Sequence, residues 1–264
     1  SDFKFKKGLV SATKTSGHTL QIADGLWLDK KFKAAMMKSI AQSELDRKRF
    51  VYSDIGFILL QQVVEAVTGK TLDVYLVSEF YRPMGLEHTL FQPLNRYKKA
   101  DIMPTAANDY LRRQDLCGYV HDEAAAFMGG VSGNAGLFST AQELGKIYQM
   151  ILNEGELDGK RYLRPETCRI FTTEKSAVSH RGLGYDKPNL KDPKANACAS
   201  SAPASVYGHT GFTGTCAWVD PENDLVYIFL SNRLCPDAWN GKLNSMKIRQ
   251  AVQEVIYQSL YTPE

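Results

Sequence analysis

No stretch of this sequence approaches membrane-spanning length, and residues 1–8 carry lysines and aromatics without an apolar segment and small-residue cleavage site. The chain therefore has no span or leader to read, and a protein that had already lost its signal would look the same. Cysteine is sparse: Cys117, Cys168, Cys198, Cys216 and Cys235 are widely spaced, with no C-x-x-C pair and no histidine at zinc-finger intervals. An odd count excludes complete intramolecular pairing. Buried free thiols are the economical reading, with a Cys198–Cys235 bond as the alternative. No basic block interleaves with aromatics, and 32 Lys and Arg against 29 Asp and Glu leave a formal net charge of only +3. Such a balance argues against a nucleic-acid surface and for a small-molecule or peptide-like substrate. Clustered metal ligands are lacking, so neither a metal nor another cofactor is expected. The phosphate-cradling pattern G-x-x-x-x-G-K-[ST] is missing too.

What is present suits a packed domain. With 264 residues, 44% of them hydrophobic, the chain can bury a core without disulfides or metal, and it reads as one domain with two lobes, about 30–155 and about 156–264. Residues up to Gly17 read as loop with little core. Helical spacing recurs from Lys31 to Ser43 and more strongly from Ile55 to Val67, where Gly69 supplies a C-cap. Thr71 can cap a helix running to about Tyr81, stopped by Pro83 and Gly85. Residues from Leu86 to Asp122 read as irregular coil. After the glycine-dense run Gly129 to Gly136, Thr140 and Glu143 form a capping box for a helix to about Asn153, with Leu144, Ile147, Tyr148 and Ile151 on its buried face. Pro165 to Phe171 makes a short helix, and the polar stretch Asp186 to Ser205 reads as an exposed loop. Val206 to His209, Thr213 to Val219 and Leu225 to Ser231 alternate as strands, the last two joined by a turn at Asp220–Asp224. An amphipathic helix from Met246 to Leu260 should lie across that antiparallel sheet. The class is α+β.

Two short constellations carry candidate chemistry: Tyr52-Ser53-Asp54 at a helix start, and His209-Thr210-Gly211-Phe212 entering a strand pair. Their order, with Gly129 to Gly136 and Leu137-Phe138-Ser139-Thr140 between them and Pro83-Met84-Gly85-Leu86 before, resembles the β-lactamase and penicillin-binding-protein superfamily, particularly the class C β-lactamases and related serine esterases and peptidases. The resemblance runs from about Arg49 to Leu260. It implies a β-lactamase/transpeptidase-like fold, acyl transfer through a serine, and a periplasmic or otherwise exported protein. Tyr52 then corresponds to the tyrosine that relays protons between nucleophile and leaving group, and Asp54 stands where Asn is commoner. A carboxylate there accepts a hydrogen bond but donates none to substrate. His209 replaces the usual Lys of the third motif, giving a weaker, pH-dependent charge for a substrate carboxylate. Thr210 would orient the hydroxyl network, Gly211 would let substrate backbone approach, and the Phe212 N–H falls where the family places an oxyanion donor. In ordinary structural roles, Tyr52 would be a helix-start aromatic, Asp54 a first-turn carboxylate and His209 a strand histidine. His121-Asp122 reads equally as pocket mouth or as a polar loop pair.

The family's nucleophile motif is S-x-x-K on a helix. Ser11-Ala12-Thr13-Lys14 spells it, but its flanks make a poor helix and too little chain separates it from Tyr52, so the match reads as coincidence. The expectation is that the serine, its lysine and the first strands belong to upstream polypeptide, leaving this chain a partial domain, inactive alone. Edge strands left unpaired would then invite that missing part, or a second copy in a homo-oligomer. The leading function is a serine hydrolase acting on an amide or ester, such as a cell-wall peptide or a β-lactam. The alternative is a non-catalytic accessory or ligand-binding module derived from the same fold.

Overall fold

The computed structural model describes residues 4–44 and 50–261; Arg49, where the resemblance begins, and Ser1–Phe3 lie outside them. The chain divides into two compact units, Ser1–Ser139 with Leu234–Ala238, and Thr140–Arg233 with Trp239–Glu264. Both mix helices with small antiparallel sheets, as the α+β reading expects.

The first unit opens with a three-stranded antiparallel sheet. Strands β1 (Val10–Ser11), β2 (His18–Ala23) and β3 (Leu26–Asp29) stand in the order β1-β3-β2. The expectation of a loop with little core up to Gly17 is corrected here: Val10–Ser11 form a strand, and Phe5, Leu9 and Val10 pack against the buried cluster of Ile22, Leu28, Val120, Ala125 and Ala126. The signal was legible. His18 to Asp29 alternates across Asp24-Gly25, an Asp-Gly hairpin turn in which Gly25 takes the left-handed conformation, φ 58°.

Helix α1 spans Phe32–Ala41, and α2 spans Ile55–Thr68 and ends on left-handed Gly69, whose N–H bonds the Glu65 carbonyl. Helix α3 (Leu72–Leu76) continues as a wider π turn over Val77–Tyr81. Thr71 occupies the cap position but makes no side-chain cap bond; the Leu72 N–H is instead accepted by Glu65 Oε1 at 3.2 Å. The segment read as coil contains paired strands: β4 (Leu90–Phe91) with β7 (Leu137–Phe138), and β5 (Pro104–Ala106) with β6 (Leu116–Cys117). Strands of two or three residues are too short to show alternation. Helix α4 (Glu123–Phe127) follows Asp122, whose carboxylate accepts the Ala125 N–H at 2.7 Å.

The second unit begins with α5 (Ala141–Leu152), where Thr140 Oγ1 accepts the Glu143 N–H as the capping pattern requires. Its buried positions are Glu143 and Met150, with Leu144, Ile147, Tyr148 and Ile151 only part-buried. A short hairpin, β8 (Glu156–Leu157) with β9 (Lys160–Arg161), leads to α6 (Pro165–Thr173). Strands β10 (Tyr207–Thr210), β11 (Cys216–Asp220) and β12 (Leu225–Phe229) form an antiparallel sheet in sequence order, followed by α7 (Lys242–Ser245) and α8 (Ile248–Tyr261). Tyr257 on α8 is buried with Trp218, Tyr227 and Cys216. Its hydroxyl donates to Asp220 Oδ2 at 2.8 Å, while Asp220 Oδ1 accepts the Glu222 and Asn223 N–H groups. One buried carboxylate thus shapes the β11–β12 turn and ties the terminal helix to it.

The stretch from Asp186 to Ser205 is not an exposed loop. Asp186, Lys187, Asn196, Cys198, Ala199 and Ala202 are buried, and Gln253 of α8 accepts the Ala199 N–H at 2.8 Å. Its Lys, Asn and Ser content suggested solvent, but their polar atoms find partners inside the unit. All five cysteines are free thiols, with Cys168, Cys198 and Cys216 buried.

Candidate active site

Within the first unit the candidate residues gather at the start of α2. Tyr52 is 56% exposed, Asp54 is half-buried, and the Asp54 carbonyl accepts the Phe57 and Ile58 N–H groups. Ser53 Oγ, not the Asp54 carboxylate, takes the Ile55 N–H. The glycine-dense loop lies along the next turn. Gln61, nearly fully buried, donates to the Val131 carbonyl at 3.2 Å and accepts the Gly133 N–H at 3.2 Å. Any side chain at Gly133 would stand 2.1 Å from the Phe57 carbonyl oxygen, so loop and helix backbones touch directly. A groove of about 330 Å³ runs beside this contact, walled by Phe57, Leu60, Leu76 and Tyr81 from the helices and by Ser132 to Ala135 from the loop.

The loop is held from its far side as well. Asn134 donates to Asp122 Oδ1 at 3.1 Å and Ser132 to Asn134 Oδ1 at 2.7 Å. Asp122 is thus engaged in capping α4 and gripping the loop. The preceding carbonyls are fixed by Arg112, which donates to Val120 and His121 and forms a fully buried, bidentate ion pair with Asp109. Burial holds the His121 imidazole below the usual histidine range.

In the second unit, His209 stands opposite Ala217 and Thr210 opposite Cys216 in the β10–β11 ladder. Glycine is required before them, because a Cβ at Gly208 would meet the Ala217 carbonyl at 2.1 Å. Gly211 has a local reason of its own, since a Cβ there would stand 2.1 Å from Thr215 Oγ1. Phe212 is 65% exposed, with the Arg233 guanidinium 4.2 Å from its ring centre.

The arginine that reasoning from sequence missed is Arg181. Its Nη1 lies 2.9 Å from His209 Nε2, and His209 Nδ1 lies 2.7 Å from the Thr210 carbonyl. A guanidinium can only donate, so Nε2 presents its lone pair and Nδ1 carries the proton. In this contact the imidazole accepts, and Arg181 sets a permanent positive charge beside the strand. Asp186, buried and paired by its backbone to Gly208, lies 2.8 Å from His180 Nε2 and 3.5 Å from Arg181 Nη2. No periodicity marks Arg181, which sits in an irregular segment; only the fold brings it to β10.

Ser11 and Lys14 do not form a helical pair. Ser11 lies in β1 opposite Trp27, its hydroxyl accepts the Thr13 N–H, and Lys14 Nζ stands 5.6 Å over the Trp27 ring. Among the described residues no three His, Cys, Asp or Glu side chains group closely enough to hold a metal, and no helix is long and apolar enough to cross a membrane.

Known proteins resemble this chain along most of its length. The family described as Beta-lactamase matches residues 12–249. A protein of Escherichia coli strain K12 named D-alanyl-D-alanine carboxypeptidase is 38% identical over 197 residues, covering 70% of this chain and 45% of its own. A Bacillus subtilis strain 168 protein named N-acetylmuramyl-L-alanine amidase is 36% identical over 197 residues, covering 70% and 44%. The chain thus spans about half the length of the curated relatives it matches. Among solved structures, the octameric penicillin-binding protein homologue of Pyrococcus abyssi aligns with a TM-score of 0.54 at 17% identity, covering 88% of this chain and 52% of that one. A penicillin-binding protein homologue of Caulobacter crescentus aligns at 0.52 and 19%, covering 76% and 58%. These structural likenesses establish a β-lactamase/transpeptidase-like fold.

Proposed function

Because this chain belongs to the β-lactamase family of serine hydrolases, we propose that it serves the hydrolysis of an amide whose acyl-side or leaving segment ends in a carboxylate, through an acyl-enzyme on a serine outside these residues. The observation that carries the reading is the Arg181 guanidinium set 2.9 Å from His209 on the strand of the third motif. A permanent cation beside that strand suits a carboxylate better than a neutral ester, and it makes good the charge lost when His replaces Lys. Tyr52 is the proton relay, Asp54 accepts from the catalytic lysine, and Thr210, Gly211 and the Phe212 N–H line the acyl group's path. The names of the Escherichia coli and Bacillus subtilis relatives agree with a cell-wall peptide or amide as the substrate class.

The external serine is supported by α2. Ile55, Leu59, Val63 and Val67, four residues apart on one helix face, are 39%, 44%, 55% and 81% exposed, and Leu60 beside them is 56% exposed. Covering each such side chain is worth roughly 1.5–3 kcal/mol, so a further helix laid on this stripe would be held firmly. We assign that place to the segment bearing the nucleophile and its lysine. A non-catalytic accessory module is the second reading, favoured by Asp54 standing where the family commonly has Asn.

Fluorophosphonate labelling with intact-mass analysis separates the two. This chain alone should gain no adduct, whereas polypeptide carrying the upstream segment should gain one, lose it when its serine is replaced, and turn over N-acyl-D-alanyl-D-alanine. In that longer protein Arg181→Met should raise KM for the dipeptide while sparing an ester without a carboxylate. Equal loss on both substrates would remove Arg181 from recognition. No labelling of any form would leave the accessory module.

A further inference from the structure

In the second unit, the turn that follows His209 and Thr210 is held by its carbonyls. The Gly214 N–H donates to the Gly211 carbonyl at 3.0 Å and the Gly211 N–H to the Thr215 carbonyl at 2.7 Å, closing the turn on itself. Gly214 makes this approach possible: it adopts φ 115°, and a Cβ there would stand 2.7 Å from Ser231 Oγ and 3.2 Å from the Arg233 nitrogen. The remaining carbonyls are taken from outside the turn. Phe212 accepts from Arg233 Nε at 2.6 Å, Thr213 from the Arg233 N–H at 2.8 Å and Gly214 from Ser231 Oγ at 2.7 Å. Every carbonyl from Gly211 to Thr215 thus has a donor.

Arg249 adds a second grip at both ends of the turn. It stands in the first turn of α8, with its Nη1 2.9 Å from the Thr215 carbonyl and 3.3 Å from that of Gly211, while Nη2 donates to Asn244 Oδ1 at 3.0 Å. The Tyr227 hydroxyl of β12 donates to the Arg249 carbonyl at 2.9 Å, so the residue is fixed at its main chain as well. A cation is disfavoured in the first turn of a helix, where the unpaired N–H groups already make the potential positive. The Arg233 guanidinium is lowered by burial and by the nearby charge of Arg249. The bonds of the two guanidiniums go to main-chain carbonyls and the Asn244 side chain, with no carboxylate among these partners. Two positive side chains are thus set side by side against one turn without a counter-charge.

The Gly211 carbonyl and the Phe212 N–H belong to one planar, trans peptide and point in opposite directions. Whatever fixes the carbonyl therefore aims the N–H, and a hydrogen bond from a guanidinium to the oxygen polarises the group and strengthens the N–H as a donor. We propose that Arg249 and Arg233 are positioning residues for acyl transfer, Arg249 by aiming and polarising the peptide that carries the Phe212 N–H and Arg233 by holding the peptide that follows. The proposal rests on the hydrolase reading, in which that N–H meets the oxyanion. Two like charges without a counter-ion repel in the resting protein, and negative charge developing on the far side of the peptide relieves them. Their effect therefore falls on the transition state rather than on substrate binding.

Steady-state kinetics on N-acyl-D-alanyl-D-alanine, in polypeptide carrying the proposed upstream segment, test this together with inhibition by a peptide boronic acid, whose tetrahedral adduct carries an oxygen into the same hole. Losing an oxyanion donor lowers kcat by about 10²–10³, so a donor that remains but is no longer aimed or polarised should lower it about tenfold. Arg249→Met should therefore lower kcat about tenfold and weaken the boronic acid by a similar factor, with KM changed less than about twofold. Thermal unfolding shows which variants are folded; should Arg249→Met fail to fold, Arg233→Leu, which leaves α8 untouched, carries the same test and should shift kcat and inhibition in the same direction. An active parent whose folded variants keep their kcat overturns the proposal alone. So does a rise in KM at unchanged kcat, which would make Arg249 a substrate-binding arginine, and so does a loss of kcat that leaves boronic acid affinity unchanged. A parent that turns nothing over overturns the hydrolase reading, and this proposal with it.

Discussion

Replacing Arg112 by methionine should be among the most damaging single changes in the first unit. The Arg112 and Asp109 side chains are 0% and 3% exposed. The guanidinium makes two 2.8 Å bonds to the carboxylate and donates to the Val120 and His121 carbonyls. Arg112→Met leaves a buried carboxylate and two carbonyls without these donors, which costs about 3–5 kcal/mol. Against a typical total of about 5–15 kcal/mol, that shift moves the urea midpoint by about 2 M at an ordinary slope. Chemical denaturation followed by circular dichroism measures it. Asp109→Asn combined with Arg112→Met should recover a large share of the loss, because no charge is then stranded. Acid supplies a second check. Burial pushes the Asp109 carboxyl up, but the Arg112 side-chain and backbone hydrogen bonds and its charge together hold it below the ordinary aspartate value. The stability from this pair is therefore full above the unfolded aspartate pKa and is lost as pH falls through the lower folded one. A cost for Arg112→Met below about 1 kcal/mol, or strict additivity with Asp109→Asn, would refute the buried-clamp argument.

Other outcomes follow from the same geometry. Burial, with Lys175 nearby, lowers the Lys187 ammonium to about 8; the unfolded chain then binds the extra proton, so stability should rise by about 1–2 kcal/mol between pH 8 and 9.5, and Lys187→Met should flatten that rise in urea titrations. Gly208→Ala, driven into the Ala217 carbonyl and the Trp218 ring, should cost about 3 kcal/mol or more and lower the thermal midpoint. Val63→Asp, on the exposed stripe of α2, should change this chain's stability by less than about 0.5 kcal/mol yet abolish co-purification with the upstream segment; retained co-purification would show that the stripe is not where that segment docks. In polypeptide carrying the proposed upstream segment, Tyr52→Phe should lower kcat about a hundredfold with KM little changed, and an unaltered kcat would remove Tyr52 from proton transfer.

The long elements were legible because their periodicity spans several turns or a whole hairpin: α1, α2, α5, α8 and the β10–β11–β12 sheet fall within a few residues of where spacing and caps place them. Short elements escaped. A two-residue ladder such as β4 with β7 presents no pattern, and its strands are 47 residues apart at Leu90 and Leu137. The β2–β3 hairpin was readable from Asp24-Gly25 between the apolar runs Ile22-Ala23 and Leu26-Trp27-Leu28, although register shifts interrupt its alternation. The segment from Asp186 to Ser205 misled for another reason: composition reports what a residue prefers alone, and Lys187 and Asn196 are buried among partners that lie far away in sequence. At the site, His209 was visible through its neighbours, while Arg181 is brought to it only by the pairing of Asp186 with Gly208.

That pairing separates two kinds of inheritance. The strand bearing His209 is locked by a main-chain contact that leaves no room for a side chain at Gly208. The charge beside it arrives on a short connecting segment, residues 180–186, whose link to the strand is the pairing of Asp186 with Gly208 at its end. Under the proposed reading, a change at position 181 alone would alter the charge beside β10 without touching the Gly208 contact that fixes the strand.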